Sequence, residues 1–220
     1  MRIHLRGKRL LLWAALLVGL GLLCYPAVSQ LVNLRNAAAA IGKFQQSMGE
    51  TDLSRQRKLA EDYNRSLLRA EGQAEGYADI LNISDGVMGY LKIPKIHVSL
   101  PIYHGTEEAV LRKGVGHLPG SAFPIGGKGN HAVLTGHTGL PSARLLTDLS
   151  ELAEGDGFTV SILGQELAYQ VTAIRVVRPD EGDALTPVPG EDLVTLVTCT
   201  PYGINSHRLL VTGTRVEPAE

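Results

Sequence analysis

The stretch LVTLVTCTPYGINSHRLLVTGTRV, residues 193–216, decides how the rest of the chain is read. It consists of two apolar runs joined by a polar, proline- and glycine-containing connection, the pattern of two strands and a turn. Side chains alternate between the faces of a strand, so Leu193, Thr195, Val197 and Cys199 share one face while Val194, Leu196 and Thr198 share the other. On the return, Arg208, Leu210 and Thr212 alternate with Leu209 and Val211. An antiparallel pairing across the connection from Thr200 to His207 brings Cys199 and Arg208 to the same end of the hairpin, beside a loop that solvent and substrate reach. An inert thiol more often sits mid-strand, and a guanidinium would be a costly neighbour for one in a core.

Working outward, the other short apolar runs begin at Val87. VMGYLKIPK and HVSLPIYHG are bounded by Pro, Lys and Gly, GVGHLPGSAFPIGGKGN is rich in turn residues, and HAVLTGH is a further strand. GFTVSILGQELAYQVTAIRVV reads as a hairpin about Gly164-Gln165. SARLLTDLSEL, between them, reads as a short amphipathic helix capped by Ser142. Seven or eight short strands with a helix between them predict a mainly β fold, a closed or nearly closed barrel. RPDEGDALTPVPGED is a loop that runs directly into the cysteine strand. It is expected to form part of a groove wall, with Asp180, Glu181 and Asp183 as solvated surface acids and not a metal site.

The N-terminal part is a different material. Arg2, Arg6, Lys8 and Arg9 precede an uncharged run from Leu10 to Leu34, long enough to cross a bilayer at about 20 apolar residues per span. The basic flank predicts a cytoplasmic N-terminus with everything beyond the span outside the cell. A cleaved secretory signal, with small residues at Ala27 and Ser29, is the other reading, but the apolar run exceeds the usual signal core. A lipidated Cys24 is disfavoured by the bulky Leu22 and Leu23 before it. Residues 35 to about 75 then read as helical, with Leu53, Leu59, Tyr63 and Leu67 near helical spacing, as a stalk or an arm on the domain. EGQAEGYADILNISDG, residues 71–86, is a glycine-interrupted linker. The organisation is thus a basic tail 1–9, an anchor 10–32, an arm and linker 33–86 and a barrel 87–217. A net charge of −1 without a basic block beyond the tail argues against a nucleic-acid partner.

Export sharpens the question of Cys199. The chain has two cysteines, and Cys24 lies in the anchor, so a disulfide within the exported portion is excluded. An unperturbed thiol is only a few per cent thiolate at neutral pH, so acyl transfer by Cys199 needs a proton acceptor, for which histidine is the usual side chain. Of seven histidines, His97, His104, His117 and His131 suit structural hydrogen-bonding roles, and His4 is cytoplasmic. His137 ends a strand and enters a Gly- and Pro-shaped loop, as Cys199 does, and His207 beside Arg208 is its rival.

TLVTCTPYGINSHRLLVTGTR together with LTGHTGLPSARLLTDL resembles a class C sortase, the pilin-polymerising branch of the sortase transpeptidases. The likeness is collinear through GVMGYLKIPKI, LPIYHGT, GVGHLPGS, LTGHTGLP and the cysteine hairpin, over roughly Val87 to Val216. It implies the sortase-type closed eight-stranded β-barrel with short helices, behind an N-terminal transmembrane helix and a helical arm. It also implies that Cys199 is the nucleophile, His137 the general acid/base and Arg208 the group that positions substrate and steadies the oxyanion, with Thr198 and Thr200 beside the substrate. The implied substrates are pilin or surface proteins with an LPXTG-like sorting signal, the implied acceptor is a lysine amine of a second pilin, and no cofactor or metal is implied. Two features depart from the family. Residues 71–86 hold no Asp-Pro-Trp or Asp-Pro-Phe lid anchor, only Tyr77-Ala78-Asp79, and the sequence closes on RVEPAE without a second apolar segment, which implies a single anchor or a missing tail. Two alternatives stay in view: a sortase that attaches proteins to peptidoglycan, and an anchored binding module in which Cys199 is a spectator.

Overall fold

The structure, a computed structural model, describes residues 2–69 and 76–216, with side chains from residue 11 onward. Helix α1 runs from Arg2 to Ser47. Its first part is long and apolar enough to cross a membrane, and its side chains there are exposed on all sides. Past Gln30 the same helix lies along the folded domain, burying Ala37 and Phe44 and setting Phe44 edge-on to Tyr90 at 6.3 Å. The helical arm is not continuous. The chain turns at residues 48–51, and α2, Leu53–Leu68, starts afresh with the Asp52 side chain accepting from the Arg55 amide. Such an Asp is a preferred helix start. Asn64 stitches α2 to the barrel, its amide giving to Phe123 O at 3.1 Å and accepting from Phe123 N at 2.7 Å.

The barrel is built from β1 (Val87–Ile93), β2 (Val98–His104), β3 (Val115–His117), β4 (His131–Thr135), β5 (Gly157–Ile162), β6 (Gln165–Val177), β7 (Leu193–Thr200) and β8 (His207–Arg215). They close in the order β1-β2-β3-β4-β7-β8-β6-β5, the eight-stranded closed barrel expected. The β2–β3 and β4–β7 pairs are parallel and the others antiparallel. The β5–β6 hairpin turns on Leu163 and Gly164, both at positive φ, the backbone that a tight two-residue turn between twisted strands demands. Closure leaves no free sheet edge for another chain to pair with.

Alternation divides the strands around Cys199 into two faces. Val194, Leu196, Leu209 and Val211 enter the main core with Ala132 and Leu134. Val133, Val197 and Leu210 face outward and form a second apolar cluster, covered by Leu118, Val177, Ala184 and Leu185. The segment between β6 and β7 therefore lies across the outer face, as the groove-wall reading requires. His131 fastens it: Nδ1 donates to Thr186 O at 3.1 Å, and Nε2 meets the Thr195 hydroxyl at 2.7 Å, itself 2.8 Å from that of Thr212.

The helix expected over residues 142–152 does not form as such. A single 3-10 turn occupies Thr147–Glu151, and Ser142 caps nothing. The cause is tertiary. Asn33 of α1 donates to Ser142 O and Gln30 accepts from Arg144 N at 2.8 Å, and in the stretch so held Leu145 stands at positive φ, a backbone that a right-handed helix excludes.

Candidate active site

Cys199 lies opposite Arg208 in the β7–β8 ladder, one rung from its open end at Thr200–His207. On the other side of β7, Thr135 pairs with Val197, and the parallel ladder continues through the Gly136 amide, which donates to Val197 O at 3.0 Å. His137 lies two residues past Thr135, on the loop by which the chain leaves β4, so it stands at the same end of the sheet as Cys199 and Arg208, which pair across the neighbouring β7 and β8. By alternation Cys199 and Arg208 lie on the outer face, continuing the line of Val197 and Leu210. Cys199 is half-buried and free. Both properties suit a nucleophile: enough enclosure to exclude bulk water and enough access for a peptide.

The site is built on a tight joint. A Cβ on Gly136 would lie 2.8 Å from the Leu146 side chain, so the strand leaves β4 by a step that only glycine fits without a shift. The Leu146 amide donates to His137 O at 3.1 Å, tying back the loop. Thr198 donates its hydroxyl to Gly136 O at 2.8 Å and is buried. Its side chain therefore points inward, away from Cys199, and holds β7 to the histidine junction instead of meeting substrate. Thr200 stands half-exposed at the rim, paired with His207.

His207 alternates to the face opposite Arg208, with its Nδ1 2.9 Å from Ser206 Oγ. Arg208 donates from Nη1 to Asn205 O at 3.2 Å and to His207 O at 3.1 Å. Those loop carbonyls orient the guanidinium plane, and among the described residues its Nε and Nη2 donors carry no partner. Such donors are the type that meets a developing oxyanion.

One residue of the site has no signal in the sequence. Glu108, on the one-turn helix α3 (Glu108–Leu111), accepts from His137 Nε2 at 2.9 Å through Oε2. Its Oε1 accepts from Arg112 Nε at 2.7 Å. The Arg112 guanidinium, and after it His137, hold the Glu108 carboxyl below the usual carboxylate range. The contact spans a strand and a loop, so no spacing rule links the two positions. The remaining barrel histidines have structural partners: His117 is fully buried against Ala122 O and the Tyr77 hydroxyl, and His104 sits between Ile80 O and Gly86 O. Among the described residues no His, Cys, Asp and Glu cluster has the makings of a metal site. The arrangement is equipped for acyl transfer through a thioester.

Comparison with known proteins leads to the same chemistry. The sortase domain family model matches residues 91–216. Among solved structures, sortase C-1 from Actinomyces oris is 49% identical with a TM-score of 0.71, covering 76% of this chain and 98% of its own. Clostridium perfringens sortase C, solved with the C-terminal cell wall sorting motif, is 42% identical with a TM-score of 0.77, covering 83% of this chain and 100% of its own. Sortase D of Bacillus subtilis is 31% identical over 147 residues, 66% of this chain and 71% of that protein.

Proposed function

The chain belongs to the sortase family, and from that premise we propose that it is a membrane-anchored pilin polymerase with Cys199 as nucleophile, His137 as general acid and base, and Arg208 as the oxyanion's partner. The observation that carries this reading is the pairing of Cys199 with Arg208 across the β7–β8 ladder, with His137 on the loop just past β4, the strand on the other side of β7. Val133, Val197 and Leu210 pack beneath the β6–β7 segment, so that segment borders the site.

In the first half-reaction the Cys199 thiol passes its proton to His137 and its sulfur bonds to the threonine carbonyl carbon of an LPXTG-like signal. The oxyanion that develops is met by Arg208, which stays charged at any working pH. Collapse breaks the Thr–Gly C–N bond, and the departing glycine amine takes a proton from His137. In the second half-reaction the lysine Nζ of another pilin attacks the thioester and gives its proton to His137, and the C–S bond breaks to return the thiolate. One amide is exchanged for an isopeptide, with no water consumed and no cofactor called upon.

The same reading assigns residues 1–9 to a cytoplasmic tail, 10–32 to the membrane span, 33–86 to arm and linker, and 87–217 to an extracellular catalytic barrel. The basic tail supports that orientation, because Lys and Arg next to a span favour the cytoplasmic side. The acceptor is tested by mass spectrometry of surface proteins from cells with and without the enzyme. The expected product is a threonine carbonyl joined to a pilin lysine Nζ, lost with the enzyme. Threonine joined only to peptidoglycan amines would replace this reading with cell-wall attachment.

A further inference from the structure

We propose that Glu108 is the positioning residue of the site: its carboxylate holds the imidazole of His137 by Nε2 and so presents Nδ1 to the sulfur of Cys199. This rests on the reading of Cys199 and His137 as nucleophile and base. Strand order dictates the approach. β3 pairs antiparallel with β4, Gly116 opposite Thr135, so the chain just before β3 runs alongside the chain just after β4. α3 lies on that stretch, with the Leu111 side chain against Gly116. Because β3 and β7 flank β4 on opposite sides, Glu108 reaches His137 from the side away from Cys199.

The chemistry of the ring gives this order its consequence. A neutral imidazole donates through one nitrogen and accepts through the other. A carboxylate oxygen only accepts, so the 2.9 Å contact makes Nε2 the donor and leaves Nδ1 as the nitrogen able to take a proton from sulfur. A base oriented by a third group is the recurring arrangement around activated nucleophiles. Glu108 is itself held, because Arg112 occupies its other oxygen. Its side chain is 58% exposed against 23% for His137. A carboxylate so open to solvent is screened, and its effect is orientation of the ring more than charge. A surface ion pair with no bearing on the reaction is the competing account.

The test uses the full chain in detergent micelles, an LPXTG-type peptide, and three forms: wild type, Glu108→Ala and Glu108→Gln. Exposure of the side chain means all three should fold with the same unfolding midpoint. Glu108→Ala is expected to slow acylation of Cys199 about tenfold with little change in KM, part of the roughly 10²–10⁴ that a general base contributes. Glu108→Gln, whose amide oxygen accepts from the same N–H, is expected to stay within about threefold of wild type. Nitrogen NMR of the His137 ring is expected to show Nε2 protonated in wild type and Glu108→Gln, and a mixture of tautomers in Glu108→Ala. Acylation by Glu108→Ala at the wild-type rate, a Glu108→Gln form as slow as Glu108→Ala, or a wild-type ring protonated on Nδ1 would each overturn the inference. A wild type that never acylates removes the catalytic reading first, and this one with it.

Discussion

Arg208 stands directly across the ladder from Cys199, and its guanidinium is turned by two loop carbonyls, Asn205 O and His207 O. A preorganised donor of this kind contributes about 2.7–4 kcal/mol to an oxyanion transition state, so Arg208→Ala should lower kcat roughly 10²–10³-fold. Arg208→Lys should recover little of the loss. An ammonium is a compact point charge without the planar fork that the two carbonyls orient. Steady-state kinetics on a sorting-signal peptide decide this, and a lysine variant at wild-type rate would reduce Arg208 to a bare charge. Cys199 and Arg208 were legible in the sequence because strand alternation and a single hairpin relate them. Glu108 was not, because its link to His137 depends on which strand lies beside β4, and that is a property of the closed sheet.

At the scale of elements, the segment between α2 and β1 is pinned by aromatic packing. Tyr77 stacks on His117 and Phe123 at ring separations of 5.8 and 5.4 Å, and its hydroxyl bonds His117 Nδ1 at 2.9 Å. His117 is fully buried on β3, and burial pushes its imidazole down to about 4. The sign of the linkage follows. Above about pH 6.5 the ring is neutral whether the chain is folded or not, and its contribution is whole. Between 6.5 and 4 the unfolded chain binds a proton that the fold refuses, so stability falls, by roughly 3 kcal/mol in all from this one group. Chemical denaturation at about pH 7 and about pH 4.5, with NMR titration of the His117 ring, checks the assignment; a ring midpoint near 6.5 in the folded protein would contradict it. The strands themselves could be read from alternation and turn residues. The missing helix at residue 142 could not, because that stretch is held by partners distant in sequence: α1 supplies Asn33 and Gln30 to the loop that follows His137.

For the whole molecule, those two contacts mean that one continuous helix passes from the apolar span to the loop that follows His137. The closed barrel was legible from the number and spacing of strands. Its winding, with β4 beside β7 and the segment before β7 laid over the outer face, follows from parallel pairings that no local pattern announces. That winding sets β4, which leads into His137, beside the strand that carries Cys199, and the central claim is that the sulfur of Cys199 carries the acyl group. Intact-mass spectrometry of the full chain incubated with an LPXTG-type peptide tests it directly. The account predicts a gain equal to the peptide through its threonine, mapped to Cys199, with the glycine fragment released and both effects absent from Cys199→Ala. Cleavage that persists in Cys199→Ala, or an adduct mapped to another residue, would contradict it.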